Sequence, residues 1–179
     1  MRRLRYSVAA TLDGFIADPN GGYDWIVMDD AIDFASIFDQ FDTFVMGRKT
    51  WDVSATADPA SIGETGDMFS GKEVIVFSRT LKTARPGVTV VTTDPVETVR
   101  ALKQKPGKDI WLFGGGSMFR TLADADLVDT VEVGLMPVLL SQGVPLITAG
   151  RRITGMKLER CESLPKSGVV MLSYTIPRK

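Results

Sequence analysis

Histidine is absent from the 179 residues, and cysteine occurs once, at Cys161. Without histidine there is no Ser-His-Asp triad, no Cys-His pair and no His-ligated metal. A single cysteine excludes an internal disulfide and a zinc site built from cysteines. Acid–base work falls to Asp, Glu, Tyr, Lys or bound water, and a bound cofactor can carry harder chemistry. A basic surplus is missing as well. The 21 Lys/Arg and 22 Asp/Glu leave a net charge of −1, so nucleic acid is not an expected partner. No apolar run approaches the ~18 residues that span a bilayer, so no membrane partner is expected. The basic start, Met1-Arg2-Arg3, is not followed by the apolar stretch of a signal peptide, because Asp13 and Asp18 interrupt it. These absences predict a cytoplasmic protein.

What remains is enough for a full core, with 44% hydrophobic and 24% charged residues. No internal repeat, low-complexity tract or long linker divides the chain, which predicts a single domain over 1–179. Strands are expected over 4–12, 43–46, 73–78, 88–92, 109–113, 127–135, 156–161 and 169–176. The last two are joined as a hairpin through 165–168. A helix is expected from Asp30, where Phe34, Ile37, Phe38 and Phe41 recur at i, i+3, i+4 and i+7. A short helix begins near Lys49. Another spans 95–103, with Asp94 as its cap and Pro95 in its first position. A fourth runs from Ser117 to Asp124. The stretch 54–71 reads as a loop. Strands alternate with helices and then dominate, which predicts an α/β fold. Its mostly parallel central sheet is flanked by helices and ends in an antiparallel C-terminal hairpin.

Three strand ends share a pattern: Val45-Met46-Gly47-Arg48-Lys49-Thr50, Val76-Phe77-Ser78-Arg79-Thr80 and Leu112-Phe113-Gly114-Gly115-Gly116-Ser117. In a parallel sheet these ends share one edge, where ligands bind. Glycine lets a backbone approach a phosphate closely, and a helix start offers free N–H groups. Arg48, Lys49 and Arg79 add positive charge. Each feature has a plain structural alternative: a tight turn for the glycines, a solvated surface for Arg79. Together they suit a dinucleotide carrying an additional phosphate. The glycine run is neither a Walker loop nor a G-x-G-x-x-G turn.

These segments, with Leu12-Asp13-Gly14-Phe15-Ile16-Ala17, Trp51 after Thr50, and Met118-Phe119 after Ser117, occur in an order that resembles the dihydrofolate reductase superfamily. The closer resemblance is to the branch holding the reductase domain of the riboflavin-biosynthesis deaminase-reductase and its stand-alone relatives. Leu127-Val128-Asp129, Leu135-Met136-Pro137-Val138-Leu139 and Gly143 are similar to that branch too. The resemblance implies NADPH as cofactor and hydride transfer to a small heterocycle, pterin- or pyrimidine-like. An activity of the 5-amino-6-(5-phosphoribosylamino)uracil reductase type, or a non-catalytic NADP-binding protein, is the alternative. It implies phosphate contacts at Gly47, Arg48, Lys49 and Thr50, and 2′-phosphate contacts at Ser78 and Arg79. It places Gly114, Gly115, Gly116, Ser117 and Met118 along the pyrophosphate and nicotinamide. Ala9 and Ile16 would flank the nicotinamide. It also implies a homodimer formed through the C-terminal sheet region. Residues 135–140 are a candidate interface, or simply core.

Hydride transfer to C=N or C=O also needs a proton. The resemblance implies a carboxylate early in the first long helix. Asp30 falls in line with the Phe34 stripe and is expected to point inward, with Asp33 about 90° off it. The structural alternative is that Asp30 caps the helix while Asp33 complements its dipole. Tyr23-Asp24-Trp25 stands where the folate enzyme has a Pro-Trp loop. Trp25, Phe34 and Trp51 are candidates for an aromatic wall against a flat substrate, or for ordinary packing. A ribose phosphate would need a further basic cluster, for which Arg151-Arg152 and Lys82 with Arg85 are the candidates. No zinc deaminase motif is present.

Overall fold

The computed structural model describes residues 1–56, 68–82 and 86–177. Arg85 and most of the 54–71 loop lie outside them. The order of elements is β1 (Leu4–Thr11), β2 (Phe15–Ala17), α1 (Phe34–Asp39), β3 (Phe41–Gly47), α2 (Arg48–Thr56), β4 (Glu73–Phe77), β5 (Val88–Val91), α3 (Pro95–Gln104), β6 (Asp109–Gly114), α4 (Gly116–Asp124), β7 (Thr130–Met136), β8 (Val144–Pro145), β9 (Lys157–Leu164) and β10 (Val169–Thr175). Eight strands form one sheet in the order β5-β4-β3-β6-β1-β7-β10-β9, and β2 pairs with β8 in a separate ribbon. The first six of the eight are parallel, and β10 runs antiparallel to both β7 and β9. This is the expected α/β architecture, including the C-terminal hairpin.

Alternation sorts the side chains between the two faces. On one face Leu4, Tyr6, Ile110, Leu112, Val131 and Val133 are covered by Val99 and Leu102 of α3 and by Phe119 and Leu122 of α4. Tyr6 is buried but satisfied. Its ring stacks on Phe119 at 4.2 Å, and its hydroxyl donates to the Leu146 carbonyl at 3.0 Å. Over the β4-β3-β6 region the other face carries an aromatic cluster of Phe41, Phe44, Trp51, Phe69 and Trp111. A third, smaller cluster seats Trp25, Ile26, Val27 and Ile32 on Ala9, Met136, Leu164 and Val169.

Helix α3 begins as its sequence demands. Asp94 accepts from Val96 N at 2.8 Å, and Pro95, which has no N–H to satisfy, stands in the first turn. The 34–41 stripe does not belong to one helix. Phe34, Ile37 and Phe38 lie on α1, which ends at Asp39, whereas Phe41 opens β3 and is fully buried. A helical period therefore arose by chance across an element boundary.

Candidate functional site

In the parallel part of the sheet the ends of β4, β3 and β6 are adjacent. Gly47 is in register with Phe77, and Met46 with Gly114. The three strand ends singled out by sequence thus form one rim. The Gly114–Gly115 peptide is cis. Gly114 has φ +140°, a conformation glycine tolerates, whereas Gly115 has φ −93°. Gly115 therefore does not need its glycine for backbone freedom. A Cβ there would stand 3.5 Å from Thr50 Oγ1 and 3.8 Å from Ile16 Cδ1. A Cβ on Gly47 would meet only Met118 Cε, at 3.9 Å. Thr50 thus lies beside both Gly114 and Gly115, with Ile16 next to Gly115 and Met118 next to Gly47.

Gly116 is different. A Cβ there would lie 2.4 Å from the Pro145 carbonyl oxygen and 2.9 Å from that of Leu146. This glycine serves the packing of the 145–146 backbone, not open space. Ser117 is exposed on the first turn of α4, whose start carries no side-chain cap. The free N–H groups there suit an anion. Ala9 lies elsewhere, in the small cluster with Trp25, whereas Ile16 and Met118 pack against the main cluster.

Beyond Phe77 the rim opens into a cleft of ≈ 430 Å³, lined in part by Ser78, Arg79, Thr92 and Asp94. Ser78 Oγ accepts from Thr80 N at 3.2 Å and Leu81 N at 2.9 Å, which shapes the turn carrying Arg79. Arg79 and Lys49 are exposed and have no ion-pair partner among the described residues. Arg48 is already committed, with Nε 2.6 and 2.7 Å from the two oxygens of Asp52.

Several expectations need correction. Trp51 does not offer a face to a substrate. It is 5% exposed, inside the aromatic cluster beside Phe69. Trp25 sits in a different cluster, and Phe34 stacks on Phe38 at 6.1 Å, so the three rings do not form one wall. Asp30 does not point inward. It precedes α1, its side chain is 94% exposed, and it pairs with Lys166 at 2.9 Å. The helix cap is Asp33, which accepts from Ser36 N at 2.9 Å. Arg151 is not free to meet a phosphate, because it pairs with Asp124 and Asp126 and donates to the Ala123 carbonyl.

Two carboxylates that sequence reasoning passed over are held by specific contacts. Asp29 is 6% exposed, and its Oδ1 accepts from Ala31 N at 2.9 Å. Its Oδ2 is buried with no hydrogen-bond partner among the described residues. The Ser167 side chain is the strongest influence on the carboxyl. Together with Ala31 N and, more weakly, Lys166, it holds the carboxyl below the usual carboxylate range. Asp13, in the β1–β2 loop, accepts from Thr11 Oγ1 at 2.6 Å and from backbone amides of a distant turn. The Asp-Gly pair signalled a turn, but nothing local signals that distant partner.

Comparison with known proteins agrees with this fold. The protein YyaP of Bacillus subtilis, itself uncharacterized, is 35% identical over 178 residues, covering 97% of this chain and 94% of its own. A crystal structure from Shewanella sp. PV-4 that bears a provisional riboflavin-biosynthesis name is 27% identical. It superposes with a TM-score of 0.77, covering 99% of this chain and 100% of that one. The fold also matches Enterococcus faecalis dihydrofolate reductase, solved in complex with NADP(H) and RAB-propyl. That pair has 17% identity and a TM-score of 0.67, covering 97% of this chain and 94% of that one. The RibD C-terminal domain profile matches residues 2–170. This chain belongs to the RibD C-terminal domain family.

Proposed function

We propose that the protein is an NADPH-dependent reductase acting on a small heterocycle, pterin- or pyrimidine-like. The observation that carries this reading is the adjacency of three strand ends on one rim, two of them glycine-bearing and leading into helix starts. Neither Gly47 nor Gly115 places a side chain at the tips of these neighbouring parallel strands, so the backbone there can come close to a phosphate. The residues present fit such a cofactor. Gly47, Arg48, Lys49 and Thr50 stand at the start of α2, and Gly114, Gly115, Ser117 and Met118 at the start of α4. Both sets would hold the phosphates and the ring end through free N–H groups. Ser78 would keep the turn in shape, and Arg79 would meet the 2′-phosphate. Ile16 and Ala9 would bound the nicotinamide. When bound, the cofactor supplies a hydride. The relatives support the same reading: one solved neighbour binds NADP(H), and the family takes its name from a riboflavin-pathway enzyme.

Isothermal titration tests this directly. A charge-assisted bond from Arg79 to the 2′-phosphate is worth roughly 1.5–3 kcal/mol, so NADPH should bind about 10- to 150-fold more tightly than NADH. Equal affinity removes the role of Arg79, and failure of both to bind overturns the reading. A protein that binds NADPH but oxidises it with no pterin or pyrimidine would be the non-catalytic alternative. The proton for reduction has Asp30 and Asp33 as carboxylate candidates, although Asp30 faces solvent and Asp33 caps α1. Loss of turnover with retained NADPH affinity in Asp30→Asn or Asp33→Asn would mark the donor. Trp25 and Phe34 are the half-buried rings left for substrate contact. The uracil-phosphoribosyl activity is the less favoured variant, because Arg151 is already engaged.

The assembly we assign is a homodimer through β9. This strand is the edge of the large sheet, and its first seven residues are exposed, with Leu158 at 48%. An exposed edge strand of this length invites pairing. In the 135–140 segment Met136 is buried and Val138 packs in the small cluster, leaving Leu139 outward. Sedimentation at micromolar concentration checks the state, and a monomer would refute it. The free thiol of Cys161 suits a reducing, cytoplasmic setting.

A further inference from the structure

We propose that the Asp13 carboxylate is a latch. It locks the β1–β2 loop onto the 138–141 turn and so holds Ile16 against Gly115. Asp13 is thereby a positioning residue of the cofactor site, an assignment that rests on the NADPH reading above. Asp13 Oδ2 accepts from Ser141 N at 2.7 Å, and Leu140 N is shared between the two oxygens at 3.1 and 3.2 Å. Ser141 has φ +65°, a conformation serine seldom adopts, and the two consecutive amides converge on one anion. On its other side the carboxylate accepts a hydrogen bond from the hydroxyl of Thr11, a residue with no exposed surface. That same hydroxyl accepts from Phe15 N at 3.0 Å. One carboxylate therefore gathers the end of β1, the start of β2 and a turn about 127 residues away in sequence. Its acid form is disfavoured by these donors, the Thr11 hydroxyl first.

The latch matters because what it secures is weak by itself. Strand β2 has three residues and β8 has two. A two-stranded ribbon of this size is not stable alone in water. Below the latch the ribbon is guided by Leu12 N to the Val138 carbonyl at 2.9 Å and Leu146 N to the Gly14 carbonyl at 2.8 Å. Gly143 lies so close to the Ala17 carbonyl that a Cβ would be 2.2 Å from its oxygen. Ile16 is the middle residue of β2, and its Cδ1 lies 3.8 Å from the place a Cβ on Gly115 would occupy. Release at Asp13 frees the ribbon at the end nearest the sheet rim, so Ile16 loses its fixed place.

Hydrogen exchange on the full chain, together with NADPH titration, tests this with Asp13→Ala and Asp13→Asn. In Asp13→Ala, amides 14–17 and 140–146 should exchange at least tenfold faster, while the central sheet and the unfolding midpoint hold. NADPH Kd should rise at least fivefold. Asp13→Asn keeps one carbonyl acceptor and should fall between. Should Asp13→Ala not fold, Asp13→Asn carries both measurements. Unchanged exchange over 14–17 overturns the latch. Faster exchange with wild-type NADPH affinity overturns the positioning role. If the wild type itself binds no NADPH, the reductase reading fails, and the exchange arm alone still decides the latch.

Discussion

Thr50 and Gly115 face each other across the rim, with Thr50 Oγ1 3.5 Å from the place a Cβ on Gly115 would occupy. That distance is ordinary van der Waals contact, and the Gly115 backbone lies at negative φ. A Cβ there fits the fold, and a larger side chain would project from the rim where the proposed cofactor would lie. Gly115→Val should therefore keep the wild-type unfolding midpoint within a few degrees and abolish NADPH binding by titration. Gly116→Ala should do the reverse. Its Cβ meets the Pro145 and Leu146 carbonyls, so destabilisation of about 1–3 kcal/mol is expected. A Gly115→Val protein that still binds NADPH would take Gly115 out of the site.

The rim was legible in the sequence because each of its parts is local. An apolar strand, a glycine and a helix start are readable within about six residues, and the parallel sheet then aligns them. Helix α3 was readable for the same reason, through Asp94 and Pro95. The β8 strand was not, since Val144-Pro145 carries no alternation and exists only by pairing with β2. Trp51 follows a binding-site motif yet faces the core, and only the direction of α2 decides this. Asp30 was misplaced because Phe41, which completed the apparent stripe, belongs to a strand. Asp13 and Asp29 act through partners more than a hundred residues away, which spacing alone does not reveal.

Arg79 supplies a test of cofactor choice that leaves the fold untouched. It is exposed and has no ion-pair partner among the described residues, so its truncation removes no internal contact. Arg79→Ala should leave stability within about 0.5 kcal/mol of wild type. It should weaken NADPH by about 10- to 150-fold with little change for NADH. Titrations with both cofactors check this, and equal losses for the two would assign Arg79 to the shared part of the molecule. High salt should narrow the wild-type preference, because an exposed charge pair is screened.

At the opposite edge of the sheet Lys103 and Asp129 form a buried ion pair, with side chains 4% and 9% exposed. Lys103 Nζ also donates to the Leu127 carbonyl at 2.6 Å, and Asp129 accepts from Leu4 N at 2.7 Å. Lys103→Met would leave the carboxylate buried without its cation, a change that costs about 3–5 kcal/mol. Urea denaturation should show that loss. NADPH affinity at 25 °C should stay at the wild-type value if the variant remains folded, because α3 carries this pair away from the rim. A loss below 1 kcal/mol would mean that water reaches Asp129.

Asp29 makes the acid limb of stability testable. Its carboxyl is held below the ordinary range, first by the Ser167 hydroxyl and then by Ala31 N, against the cost of its own burial. A carboxyl with a depressed folded-state pKa contributes stability that is complete above its unfolded value, about 3.9. That contribution is lost as pH falls through the lower folded-state value. Asp29→Asn should therefore be less stable than wild type at pH 6. The gap should close as pH drops below about 4, and the two urea midpoints should converge in more acid solution. Asp13 and Asp39 are also held low and titrate in both proteins, so they cancel from the difference. Parallel curves across the whole range would mean that Ser167 and Ala31 hold the neutral side chain as firmly as the anion. Asp29 would then shape the 29–31 turn rather than anchor it by charge.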